Sequence, residues 1–137
     1  MNTTEQEVLD AAACLVRAFG SGDLPSYFAT FADDATFVFH TSPQVLDSLD
    51  AYRQEWKQWE RRDAFRVVSC TSSDQRVQDL GDVAVFTHRV RTRIATRGGH
   101  TDLSERETII FRRDDGGRWT AVHEHLSQDP ADDRATP

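Results

Sequence analysis

The spacing of the apolar residues changes once along this chain, and that change limits the folds open to it. Before Ala64 the spacing is helical; after it, side chains alternate. Thr4-Glu5-Gln6-Glu7 fits a capping box, in which hydroxyl and carboxylate satisfy each other's orphan amides. Val8, Ala12, Leu15 and Phe19 follow at helical spacing to a stop at Gly20. A second, short helix is expected from Asp23, with Pro25 in its first turn and Leu24, Phe28 and Phe31 along it. Residues 35–40 read as a strand closed by Thr41, Ser42 and Pro43. Ser48 caps a third helix with Leu49, Tyr52, Trp56 and Trp59 on one stripe. Strands then follow over 65–78, 83–96, 104–113 and 118–128, with turns at Leu80-Gly81-Asp82, Gly98-Gly99 and Asp114 to Gly117. Helices first and hairpins after predict an α+β fold. Three N-terminal helices would pack on one face of a strongly curved antiparallel sheet, making a cone with an apolar interior for a small molecule. The 137 residues suit one domain, expected over 1–128, with 129–137 as a flexible acidic tail.

Charge removes several functions. Asp and Glu number 23 against 16 Lys and Arg, a net charge of −7, so no basic face is expected for nucleic acid. No apolar run approaches the roughly 18 residues of a membrane helix, and no basic-then-apolar leader opens the sequence. Cys14 and Cys70 stand in no metal or redox spacing and are expected to be reduced core thiols of a cytoplasmic protein. Both Gly-Gly pairs sit in hairpin turns rather than before helices, and no closed set of metal ligands is present. Neither a metal nor an organic cofactor is expected.

The strands carry the candidate chemistry. Arg89, Arg91 and Arg93 share one face of their strand, opposite Phe86, His88, Val90 and Thr92. Glu105, Glu107, Ile109 and Phe111 form one row of the next strand. Setting Arg91 opposite Glu107 and Arg93 opposite Glu105 makes attractive cross-strand pairs. Extended to the last strand, that register builds a row Arg91–Glu107–His123, a credible acid/base assembly. Reading Asp114 to Gly117 as a four-residue loop gives the other parity. Glu107 then faces Glu124, two carboxylates sharing a proton, while His123 joins Thr108 on the far side. Both registers stay open, and both are expected to put Arg89, Arg91 and Glu107 on one face. Glu107, Arg91, His123 and His40, at the end of the first strand, are the catalytic candidates. Arg89, Phe37, Phe39 and Trp56 are the ligand-binding candidates. Each has a plainer reading: solvated arginines, core aromatics, or histidines in a subunit interface. Trp119 and Ala121 on one face of the last strand, and Val122 and Leu126 on the other, both look buried. A homodimer through the sheet would cover the second face.

Gly22-Asp23-Leu24, Phe31 to Thr36, Leu80-Gly81-Asp82-Val83-Ala84 and Arg118-Trp119 running into Val122-His123-Glu124-His125-Leu126-Ser127 carry a resemblance. In element order and in these strings the chain resembles the nuclear transport factor 2-like superfamily, and within it the SnoaL-like proteins. That superfamily serves isomerases, cyclases, hydratases, epoxide hydrolases, cargo binding and oligomerisation, so the fold does not name the reaction. Aligned on ketosteroid isomerases through Gly22 to Thr36, the general-base aspartate falls at Phe39 and the oxyanion-hole tyrosine at Leu15. Neither side chain moves a proton or donates to an enolate, so that chemistry is not expected. A more distant resemblance to the association domain of calcium/calmodulin-dependent kinases implies the second parity, with pocket arginines at positions matching Arg89, Ile109 and Leu126. The resemblance implies a SnoaL-like enzyme doing cofactor-free proton transfer, as an isomerase, cyclase or dehydratase, on a hydrophobic carbonyl compound. Glu107 or a histidine would be the base, with Arg89 or Arg91 stabilising negative charge. The rival is a non-catalytic ligand-binding or oligomerisation module of the same fold.

Overall fold

Helix α1 (Thr3–Gly20) is capped by Asn2 rather than by the expected Thr4. The Asn2 side-chain oxygen accepts the Glu5 amide at 2.7 Å and satisfies an orphan donor of the first turn. Asp23 caps α2 (Leu24–Phe28), which ends before Phe31; that residue opens β1 (Phe31–Phe39) instead of closing the helix. Ser48 caps α3 (Leu49–Asp63), its hydroxyl accepting the Ala51 amide at 3.0 Å. The chain leaves α3 through Ala64 in the left-handed region, φ 53°, and enters β2 (Arg66–Asp79), β3 (Val83–Thr96), β4 (Gly99–Arg113) and β5 (Trp119–Gln128). This is a computed structural model, and it describes residues 2–130.

The five strands lie in the order β1-β5-β4-β3-β2. From β2 to β5 every pair is antiparallel, but β1 lies parallel to β5, with Phe37 opposite Glu124. The sheet is therefore mixed, not antiparallel throughout. Hairpin turns dictate each antiparallel pairing locally, whereas the pairing of β1 with β5 joins segments far apart in the chain. All three helices contribute to the core on one face, where Val8, Leu15, Tyr27, Phe28, Phe37, Tyr52 and Trp56 meet Phe86, Ile109, Phe111 and Ala121.

The register of β3 and β4 corrects the expected pairing of Arg91 with Glu107. Their turn is Arg97-Gly98, one residue earlier than expected, and Thr96 pairs with Gly99. A two-residue turn forces an odd register sum, so His88 stands opposite Glu107, Val90 opposite Glu105 and Arg91 opposite Ser104. Opposite residues of an antiparallel ladder share a face. Glu105 and Glu107 are consequently buried against the helices, while Arg89, Arg91 and Arg93 point outward into water. Solvent keeps the guanidinium charges, and Arg93 finds its partner in Asp102, at 2.8 and 3.1 Å.

Strands β4 and β5 take the second of the two parities, with Ile109 opposite Glu124 and Ile110 opposite His123. The ladder then slips, and Phe111 pairs with Ala121, leaving Val122 as the extra residue of a β-bulge. Trp119 and Ala121 before the bulge therefore face the same side as Glu124 and Leu126 after it. One buried face accounts for both sets, so the patterning alone does not call for a second. The fold also runs past residue 128: Asp129 is buried, and its amide donates to Ser104 O at 3.1 Å. The rest of the expected tail, 131–137, lies outside the described residues. No helix among those described is long and apolar enough to cross a membrane.

Candidate functional site

Acidic side chains on the core face of the sheet meet aromatic side chains from the helices. Across β3, β4 and β5 run His88, Glu107 and Leu126; beside them run Val90, Glu105 and Gln128, and Glu124 lies between Ile109 and Phe37. Leu15, Val16 and Phe19 of α1, Tyr27 of α2 and Tyr52 of α3 close over these rows. Together with Cys70 and Thr92 they leave an inner cavity of about 50 Å³, into which Glu105, Glu107 and Glu124 all face. An outer cleft of about 350 Å³ is walled by Phe39, Trp56, Trp59, Phe65, Ile94 and Leu103. The two spaces share Phe19, Tyr52, Thr92, Glu105 and Leu126 as walls, so a ligand lying in the cleft would reach the acidic end.

Short hydrogen bonds order the acidic end. His88 Nε2 lies 2.6 Å from Glu107 Oε1, and its Nδ1 lies 2.6 Å from Ser72 Oγ. A carboxylate only accepts, so the imidazole donates to Glu107 through Nε2. His40 Nε2 lies 2.6 Å from Glu105 Oε2 at the cleft, and the Tyr27 and Tyr52 hydroxyls are 2.9 Å apart. Burial pushes the Glu124 carboxyl well above the usual carboxylate range, and its neighbour Glu107 adds to the rise. Glu124 therefore keeps its proton and shares it with Glu107 in a hydrogen bond. Glu105 is also raised by burial, an effect that the His40 hydrogen bond opposes. Burial and the nearby Glu124 hold both tyrosines protonated. Burial pushes the Cys70 thiol up to about 12, which leaves it inert at neutral pH.

Of the residues expected here, Glu107 lines the cavity and Phe39 and Trp56 wall the cleft, while exposed His40 lines neither space and is tied to them only by its hydrogen bond to Glu105. Phe37 is core rather than wall: it is fully buried, 4.4 Å ring to ring from Tyr52. Arg89, Arg91 and His123 face away from the cavity, on the outer side of the sheet. The row Arg91–Glu107–His123 therefore does not form. His123 is half-buried there, its Nδ1 2.8 Å from Thr36 Oγ1, and burial followed by the nearby His125 lowers its pKa. Cys14 is exposed rather than core. Sequence reasoning missed His88, Tyr27 and Tyr52, treated Glu105 only as a register marker, and brought in Glu124 only through the second parity, as a carboxylate sharing a proton with Glu107. Their signal was present for the strands: His88 alternates with Phe86 and Val90, and Glu105 and Glu107 with Ile109 and Phe111, so each shares a row with core residues. Nothing comparable marks the tyrosine pair, which meets only through the packing of α2 on α3. Among the described residues no group of three or more His, Cys, Asp or Glu is placed to hold a metal ion.

The raised Glu124 has a consequence for stability. In the unfolded chain a glutamate ionises near pH 4.3, so above that pH folding takes up a proton at Glu124. Stability from this group is thus greatest at low pH and is lost as pH rises toward the folded-state value. Glutamine cannot ionise. Urea unfolding of Glu124→Gln against the native chain should show a difference that moves in the variant's favour between pH 5 and pH 8. A difference that stays constant would mean that Glu124 titrates normally in the fold.

Comparison with curated protein sequences gives no significant match. Solved structures match closely in fold. A ketosteroid isomerase-like protein from Erwinia carotovora atroseptica aligns over 100% of both chains, with TM-score 0.78 and 19% identity. A nuclear transport factor 2-like protein from Rhodospirillum rubrum, of unknown function in nutrient uptake, aligns over 89% of this chain and 98% of its own, with TM-score 0.76 and 26% identity. A Catenulispora acidiphila protein in complex with S-DNPA aligns over 92% of this chain and 93% of its own, with TM-score 0.75 and 16% identity. These likenesses place the three helices and the mixed sheet in the nuclear transport factor 2-like, or cystatin-like, fold. The SnoaL-like domain matches residues 8–132, and the chain belongs to that family.

Proposed function

We propose that the protein is an enzyme of cofactor-free proton transfer, an isomerase, cyclase or dehydratase, acting on a small, largely apolar carbonyl compound bound in the cleft. The observation that carries this reading is the pairing, in one aromatic-walled cavity, of Glu107 held by His88 with Glu124 keeping its proton. Two carboxyl groups whose surroundings push their protonation apart supply a base and an acid at the same pH. Glu107 takes the carbon-bound proton. His88, buried behind it, is a positioning residue that fixes the carboxylate through Nε2. On substrate binding the Glu124 proton turns from Glu107 to the oxygen on which negative charge develops, to which a tyrosine hydroxyl also donates, the role first expected of Arg89 or Arg91. His40 orients Glu105 at the cleft. Phe39, Trp56 and Trp59 hold the apolar body. The S-DNPA complex of the Catenulispora acidiphila protein supports small-molecule binding by this fold.

An open cleft ending in convergent carboxyl groups favours this reading over a filled, non-catalytic module. The test is exchange of the α-protons of β-tetralone in heavy water, followed by NMR. Saturable exchange above the buffer rate is the expected result. Binding of β-tetralone without exchange would favour the non-catalytic ligand-binding module. Free Cys14 and Cys70 fit a reducing, cytoplasmic compartment.

A homodimer through the sheet keeps a different support from the one first expected. On the outer face Val85, Ile110, His123 and Thr36 line up across β3, β4, β5 and β1, all half-buried. With His123 lowered and so neutral at pH 7, the row is uncharged and suits a two-fold copy of itself. Sedimentation should give a dimer at micromolar concentration, and Ile110→Asp should give a monomer.

A further inference from the structure

We propose that the substrate is an open-chain carbonyl compound, a methyl ketone or aldehyde joined to a flat ring, and that Leu15 and Val16 set the size of its head. The inference deepens the reading above and rests on it, since proton transfer in the cavity must first occur. The chemistry and the apolar walls are divided between the two spaces. Glu107, Glu124 and Tyr27 line the inner cavity and not the outer cleft, whereas Phe39, Trp56 and Trp59 line the cleft and not the cavity. Tyr52 and Glu105 stand at the neck, among the walls that both spaces share. The reacting atoms must therefore enter the inner space while the apolar body stays outside it.

The inner space measures about 50 Å³ and the cleft about 350 Å³. A cavity that takes benzene measures about 150 Å³, so a ring is too large for the first and fits the second. A carbonyl group with one α-carbon suits the inner space. A ketone within a ring reaches it only with one corner, and a branched α-carbon overfills it. The seat of α1 on β2 keeps this space small. Gly20 lies so close to β2 that a Cβ added to it would come 3.2 Å from Cys70 Cβ and 3.2 Å from Cys70 N. That close approach brings Leu15, Val16 and Phe19 down as one wall of the cavity, with Cys70 in the wall beside them. Leu15 is buried and Val16 half-buried. Neither carries a polar side-chain atom, so each acts on the substrate by volume alone.

Exchange in heavy water, followed by NMR on the full chain, tests the size limit with two ketones that share one body: methyl phenethyl ketone and isopropyl phenethyl ketone. Exchange is read at the α-carbon of the methyl or isopropyl group, each relative to its own rate in buffer. The methyl ketone should be favoured by at least about tenfold, the lower end of what a pocket gains by refusing one methylene group. Leu15→Ala should bring the ratio near one, with the gain on the isopropyl ketone. Val16→Ala should do the same in part and serves if the first variant does not fold. Equal exchange of the two ketones by the native chain, or a ratio that the folded variants leave unchanged, would overturn the size limit and leave proton transfer standing. Exchange of β-tetralone with both open-chain ketones refused would do the same. If neither these ketones nor β-tetralone exchange above the buffer rate, the proton-transfer reading falls, and this inference falls with it.

Discussion

Glu107→Gln should slow β-tetralone exchange by roughly a hundred- to ten-thousand-fold, the range that a positioned general base contributes. The amide oxygen can still accept from His88 Nε2, so the local geometry survives while the proton acceptor is lost. Glutamine does not take up a proton at neutral pH, and no other group in the inner cavity is held by a buried imidazole. The unfolding midpoint, followed in the same preparation, separates lost chemistry from lost fold. If exchange persists unchanged in a folded variant, the base is not Glu107, and Glu105 with His40 at the cleft becomes the pair to test.

The largest effect on stability should come from Phe37→Ala, at about 3–5 kcal/mol in denaturant unfolding. Phe37 is completely buried between Phe31, at 5.0 Å ring to ring, Phe39, at 6.0 Å, and Tyr52, at 4.4 Å. It lies on β1, where both neighbouring layers are fixed by the parallel pairing with β5 and by α3, so the void left by the ring cannot readily close. A loss below about 1 kcal/mol would show that the surrounding aromatics repack. Arg91→Ala is the contrasting case. Its side chain is in water on the outer face, and surface changes of this kind usually fall within about 0.5 kcal/mol.

These two residues illustrate what the sequence could and could not convey. Alternation placed Glu107 with Ile109 and Phe111, which is why it was legible as inward-facing. Charge complementarity then drew Arg91 to the same side, against the parity that a two-residue turn imposes. For Arg91 opposite Glu107, attraction on paper was worth less than keeping a guanidinium hydrated, and Asp102 was available to Arg93 on the wet side. The three helices, the four hairpin strands and the family were readable from local signals. The parallel edge formed by β1, the tyrosine pair and the slip at Val122 were not, because each depends on segments far apart in the chain or on a single residue out of step.

That single residue also sets how this site can change. Strand β5 works as two half-strands offset in phase, one giving Trp119 and Ala121 to the core and the other giving Glu124 to the cavity. Without the slip, strict alternation carried through Val122 would turn the second half over, bringing His123 and His125 inward and sending Glu124 to the solvent side. The lining of the cavity would pass from carboxyl to imidazole with no new residue introduced. In a chain so arranged, the presence of one bulge, rather than the identity of any side chain, selects between acidic and basic chemistry on the same scaffold.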